Sequence, residues 1–171
     1  MILAFDTYYN DENAKTVCLV FNNWTDSEPT NIYEEILNGI EKYEPGSFYK
    51  RELPCILSLL KKVEIEIKNI TAIIVDGFVL LDDDNKLGLG GYLYEQLNSK
   101  TAVIGVAKSG FYQNKKNVKE LLRGESKKPL FISAMGIELN SAFEHIKSMY
   151  GIYRMPRLLQ ILDSKTKEYC G

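Results

Sequence analysis

Two short, almost unbroken apolar runs constrain this chain most: Thr71-Ala72-Ile73-Ile74-Val75 and Thr101-Ala102-Val103-Ile104-Gly105-Val106. A strand wetted on one face alternates polar and apolar residues, and these do not. They read as strands covered on both faces, which is the habit of parallel strands packed under helices. The first run ends in Asp76-Gly77 and the second leads to Lys108. Tyr92 to Leu97 between them has helical character, so the unit is strand–helix–strand. Upstream, Ile2 to Thr7 and Lys15 to Asn22 read as strands joined by the polar turn Tyr9-Asn10-Asp11-Glu12-Asn13. Asn31 to Ile40 fits either a helix, through Ile32, Ile36, Leu37 and Ile40, or a third strand. Leu53 to Lys62 is expected to be helical, with Pro54 in its first turn and Ile56, Leu57, Leu59 and Leu60 as its buried stripe. Leu130 to Ala134 adds a strand, and Ile137 to Tyr150 and Arg157 to Lys167 add two helices. The expected architecture is α/β, a mixed sheet flanked by helices, in one domain spanning the 171 residues.

Charge and composition narrow the function. Lys plus Arg is 21 against 23 for Asp plus Glu, a formal net charge of −2. That excludes a purely electrostatic nucleic-acid binder but leaves room for a nucleic-acid enzyme with a local basic groove. No stretch of about 18 apolar residues occurs, and Asp6 interrupts the opening apolar run. The expectation is a cytoplasmic protein without a membrane partner. Three scattered cysteines, Cys18, Cys55 and Cys170, do not make a disulfide framework. A single histidine, His145, excludes any site built from several histidines. Metal chemistry in this chain must therefore rest on carboxylates, whose hard oxygens favour magnesium or manganese.

Asp6 and Asp76 each end an apolar strand, and Glu52 follows Arg51 near the start of a helix. Each acid alone is an ordinary solvated or turn-capping residue. Three converging at one sheet edge could hold two divalent metals and orient water toward a phosphoryl group. Lys108, Lys115, Lys116, Lys119, Arg123, Lys127 and Lys128 form a basic stretch interleaved at its start by Phe111 and Tyr112, the composition of a phosphate-tracking patch or of a solvated polar face. Gly88-Leu89-Gly90-Gly91 precedes a helix but no Walker lysine follows. Cys55, in the first turn of its expected helix, is a candidate for a lowered thiol pKa.

Five segments, in order, resemble the endonuclease V family. Asp6-Thr7-Tyr8 is similar to the family's Asp-Val-Ser-Tyr opening, one residue shorter. Tyr43-Glu44-Pro45-Gly46-Ser47-Phe48-Tyr49-Lys50-Arg51-Glu52 resembles its Tyr-Ile-Pro-Gly-Phe-Leu-Ser-Phe-Arg-Glu motif without a gap. Val75-Asp76-Gly77 and Ile104-Gly105-Val106-Ala107-Lys108-Ser109 match two further motifs at every position, and Lys128-Pro129-Leu130-Phe131-Ile132-Ser133 resembles a fifth. The resemblance implies a ribonuclease H-like fold and magnesium-dependent (manganese as substitute) phosphodiester hydrolysis. Its nucleic-acid partner would be DNA or RNA carrying inosine or another deaminated base, nicked one nucleotide beyond the lesion on its 3′ side. It also implies that Asp6 and Asp76 are metal ligands, Glu52 the third catalytic acid, and Lys108 a cation near the scissile phosphate. Tyr43, Pro45 and Gly46 match the strand-separating wedge, and Gly77 and Ser109 fall in matching substrate-side positions. Two departures stand out. The family's Gly-His-Arg-Ile-Ser-Leu is replaced by Ala134-Met135-Gly136-Ile137-Glu138-Leu139, without histidine, which makes Glu138 a candidate extra ligand or simply a helix-start acid. The loop after Asp76 carries Asp82-Asp83-Asp84. These departures motivate an alternative: a catalytically weakened member that binds nucleic acid or protein. His145 is expected on an exposed helix face.

Overall fold

The structure is a computed structural model, and it describes every residue except Glu41, Tyr43, Gly46, Tyr112 and residues 169–171. Among the described residues, seven strands form one sheet: β1 Ile2–Asn10, β2 Asn13–Phe21, β3 Asn31–Asn38, β4 Ala72–Asp76, β5 Ala102–Ala107, β6 Lys119–Leu121 and β7 Leu130–Met135. Their order across the sheet is β3-β2-β1-β4-β5-β7-β6. The centre is parallel, with Phe5 opposite Val75 and Val75 opposite Gly105. The flanks are antiparallel: β1 with β2, β2 with β3, β5 with β7 and β6 with β7.

The period-two alternation of side chains divides the core into two layers. Ala4, Leu19, Ile74, Ile104 and Ile132 pack under α3 (Leu139–Ser148) and α4 (Arg157–Lys167), through Ala142, Ile146, Leu158, Leu159 and Leu162. Leu3, Phe5, Cys18, Ile73, Val75 and Val103 pack under α1 (Phe48–Lys62) and α2 (Leu89–Gln96), through Ile56, Leu59, Leu89 and Leu93. The two apolar runs that opened the sequence reading are β4 and β5, buried on both faces at the middle of the sheet. No helix among the described residues is long and apolar enough to cross a membrane.

Of the two alternatives for Asn31 to Ile40, the strand is the one found: Asn31–Asn38 is β3, and Ile32 and Ile36 alternate with Tyr33, Glu35 and Leu37 along an edge strand. Helix α1 begins at Phe48, so Pro54 lies inside it rather than in its first turn. Pro54 and Lys50, whose carbonyl loses its N–H partner, are both exposed residues, and the helix continues past them. Strand β6 was not foreseen, because three residues carry too little periodicity to be read.

Candidate active site

β1 and β4 run side by side; Asp76 ends β4, whereas Asp6, expected to end its strand, lies midway along β1, which continues to Asn10 beside β2, and the residues before them, Phe5 and Val75, pair directly. Both lie on the α4 face, in a recess shared with Val106, Lys108, Met155, Leu159 and Asp163. The acids sit where charge is costly. Burial, then Asp76 and Asp163, push Asp6 from its ordinary 3.8 up to about 7, against a hydrogen bond from the Thr7 N–H (2.9 Å) and the charge of Lys108. Asp76 is raised too, chiefly by burial and also by Asp163, while Lys108 and Lys167 oppose the shift.

Glu52 comes from the opposite layer. In α1 it is 2% exposed, and its Oε1 has no hydrogen-bond partner. Burial raises it well above the usual carboxylate range, with Asp6 and Asp76 adding to the shift. The neighbouring Arg51, whose guanidinium lies 3.7 Å over the Tyr9 ring, partly offsets this. The three acids therefore feel one another electrostatically. Even so, among the described residues no three His, Cys, Asp or Glu side chains are gathered tightly enough to hold a metal ion. Glu52 approaches from one side of the sheet and the two aspartates face the other.

Lys108 follows β5, is half exposed, and lies 3.8 Å from Asp163. With Asp76 it also borders a cleft of about 480 Å³ lined by Phe48, Tyr49, Gly77, Phe78, Ser109 and Phe111. The Phe78 and Phe111 rings are 5.0 Å apart, and Tyr49 stacks on Tyr92 at 3.9 Å. Gly105 lets this wall form. A Cβ there would meet the Gly77 carbonyl oxygen at 2.5 Å and Ser133 Oγ at 2.8 Å. Ser133 Oγ in turn accepts the Val79 N–H (2.9 Å), fixing the turn after Asp76. Gly77 itself has φ +112°, a backbone that a side chain would strain.

Other sequence candidates fall elsewhere. Glu138 is the exposed residue preceding α3 and is not among the groups acting on Asp6, Asp76 or Glu52. The acid that does lie beside the aspartates is Asp163, which the sequence reading passed over. Pro45 is an exposed turn residue ahead of α1; Tyr43, Gly46 and Tyr112 lie outside the described residues. The Asp82-Asp83-Asp84 segment is a folded turn: Asp83 Oδ1 accepts the N–H groups of Lys115 and Lys116, and Asp82 Oδ1 those of Asp84 and Lys86. Arg123 is buried rather than part of a basic surface, and donates to the carbonyls of Met149 and Tyr153. Lys119 lies 4.1 Å over the Phe143 ring. Burial and Glu52 raise the Cys55 thiol instead of lowering it. His145 is half-buried, stacked on Trp24 at 4.5 Å, rather than exposed.

Comparison with known proteins decides the family. The sequence model of endonuclease V matches residues 1–122. The chain belongs to the endonuclease V family, a family of nucleases. No curated protein sequence matches it significantly. Among solved structures, the fold is similar to that of Ciona intestinalis endonuclease V bound to DNA containing an inosine followed by a ribo-adenosine. That match has 18% identity and a TM-score of 0.80, over 97% of this chain and 84% of that one. It is also similar to human endonuclease V, at 19% identity and a TM-score of 0.74, over 97% of this chain and 82% of that one. A Marinitoga piezophila Argonaute shares the same ribonuclease H-like sheet at 12% identity and a TM-score of 0.56, over 98% of this chain but 29% of the other.

Proposed function

We propose that this endonuclease V family member hydrolyses a phosphodiester bond near a deaminated base, inosine first, in DNA or RNA, and depends on magnesium or manganese. The observation that carries the reading is Glu52: a buried carboxylate with an unpartnered oxygen, coupled to two further acids on the adjacent strands β1 and β4. Leaving such a group without a partner is costly unless something of opposite charge uses it. The donor set fits a hard dication, because Asp6, Asp76, Glu52 and Asp163 offer only oxygen. Asp163, on α4, stands in the same recess as Asp6 and Asp76 and adds a further oxygen donor there.

When bound, a divalent ion would supply charge neutralisation and a more acidic water. Asp6 and Asp76 would hold it, with Asp163 beside them in the recess and Glu52 the nearby acid on the α1 side. Lys108 would steady the phosphoryl oxygens as charge develops on them. Its ion pair with Asp163 keeps the ammonium at the rim between the recess and the cleft. The cleft has the size and the aromatic walls to take a displaced base, and the Gly77 backbone allows close approach. The looser spacing of the acids favours a second reading, a weakened member that binds nucleic acid or protein without cutting.

The test is an end-labelled single strand with one inosine, incubated with the protein in magnesium and then manganese. Asp6→Ala and an inosine-free strand are the controls. A single nick beyond inosine, absent in the variant, is expected. A folded protein that cuts nothing in either metal would move the weight to the binding reading.

A further inference from the structure

The loop between α3 and α4 carries a surface that the nuclease chemistry above does not use. Tyr150, Ile152 and Tyr153 are 55%, 78% and 64% exposed. Apolar groups held out on a loop lose nothing if the loop is mobile, but this one is fixed from beneath. The buried Arg123 guanidinium donates to the carbonyls of Met149 (2.7 Å), Gly151 (3.2 Å), Tyr153 (2.6 Å) and Arg154 (3.4 Å). Arg154 reaches the other way and donates to the carbonyls of Lys108 and Pro129. Gly124, at φ +61°, leaves no room for a Cβ against the Ile152 carbonyl. Two arginines thus lock the loop backbone in one shape and leave its rings in solvent.

The position of the loop says what would cover it. Arg154 ties it to the backbone of Lys108, and Met155 lines the recess that holds Asp6, Asp76 and Asp163. Lys108 also borders the cleft with Phe78 and Phe111. Exposed Lys127 and Lys128 adjoin the Pro129 anchor and offer charge to phosphates, with Glu125 the acid in that stretch. A flat, sequence-tolerant partner with a charged backbone fits rings beside lysines.

Resting on the nuclease reading, we infer that Tyr150, Ile152 and Tyr153 form a second nucleic-acid contact: a stacking platform for single-stranded substrate on the far side of the scissile phosphate from the cleft. The platform takes bases by their faces, so it adds affinity without sequence preference.

Anisotropy of labelled inosine strands with the full chain in EDTA tests this, using one strand that ends about two nucleotides past the cut and one that runs about ten past it. Tyr150→Ala with Tyr153→Ala is expected to raise Kd for the long strand about tenfold or more and to leave the short strand unchanged. Tyr150→Phe with Tyr153→Phe should bind as wild type does, because the rings are kept. The substituted residues are exposed, and melting temperatures of the variants verify folding. Wild-type affinity of the alanine variant for the long strand, or an equal loss on both strands, would overturn the platform and leave the rings to a protein partner. Failure of the wild-type protein to bind either strand or to cut inosine would instead overturn the nuclease reading on which the platform rests.

Discussion

Asp6 makes the metal-free protein weaker as pH rises, and the size of the effect follows from its surroundings. Burial and the facing Asp76 hold its carboxyl at about 7 in the folded chain, against an ordinary 3.8. The folded state therefore binds this proton more tightly than the unfolded state does. The resulting stability is complete below about pH 4 and is lost as pH climbs through about 7. At 1.36 kcal/mol per pH unit, the gap corresponds to about 4 kcal/mol, of which about 3 falls between pH 4.5 and pH 8. Partial exposure and screening reduce this to about 2–3 kcal/mol. For a chain of this size the melting temperature moves about 2–4 °C per kcal/mol, so about 5–10 °C is at stake. Asp6→Asn keeps an acceptor for the Thr7 N–H and removes the charge. The assay is thermal unfolding in EDTA across pH 4.5 to 8, wild type beside Asp6→Asn. Glu52 and Asp76 push the same way in both proteins, Glu52 less so once the Asp6 charge is gone, so the difference between the two curves reports Asp6 together with its coupling to Glu52. Parallel curves would refute the reasoning, because a carboxyl with no shift loses nothing over this range.

Magnesium at about ten times its Kd should raise the melting temperature at pH 8 by the equivalent of about 1.4 kcal/mol, and calorimetry should show no such rise in Asp76→Asn. Asp163→Asn should slow inosine-strand cleavage by about 100-fold while Glu138→Ala stays within about twofold; equal losses in single-turnover assays would contradict the geometry. Gly105→Ala should cost about 1–3 kcal/mol in urea unfolding, since its Cβ would press on the Gly77 carbonyl and Ser133 Oγ, and an unchanged midpoint would mean that the turn after Asp76 yields freely.

The sheet centre was legible because burial on both faces leaves an unbroken apolar signature, and β4 and β5 carry it. Helix α4 was legible to the residue, since Leu158, Leu159 and Leu162 repeat at helical spacing and Pro156 stands before its first turn. β3 was ambiguous for a physical reason. An edge strand wet on one side shows Ile32 and Ile36 four residues apart, the same spacing as one helix turn. The start of α1 was misread because the sequence rule places proline in a first turn. Pro54 sits inside the helix on its exposed side, one turn after the exposed Lys50.

The site was legible where chemistry and chain order coincide, and hidden where they do not. Asp76 announces itself by ending an apolar strand and Asp6 by interrupting one, and adjacency of β1 and β4 brings them together. Asp163 sits about ninety residues from Asp76 in sequence and reads as one acid among the lysines of a terminal helix. It did leave a signal. Leu159, Leu162, Asp163 and Thr166 share one face of α4, so a carboxylate stands on the buried stripe beside side chains that are 5%, 4% and 2% exposed. The acid there is paired with Lys167 and Lys108 and faces Asp6 and Asp76. Glu138 was the nearer candidate in sequence, but being close along the chain to a lost histidine does not bring an acid to the site. A place in a site belongs to a point in space, and a helix packed across the sheet can bring an acid to it from anywhere in the chain.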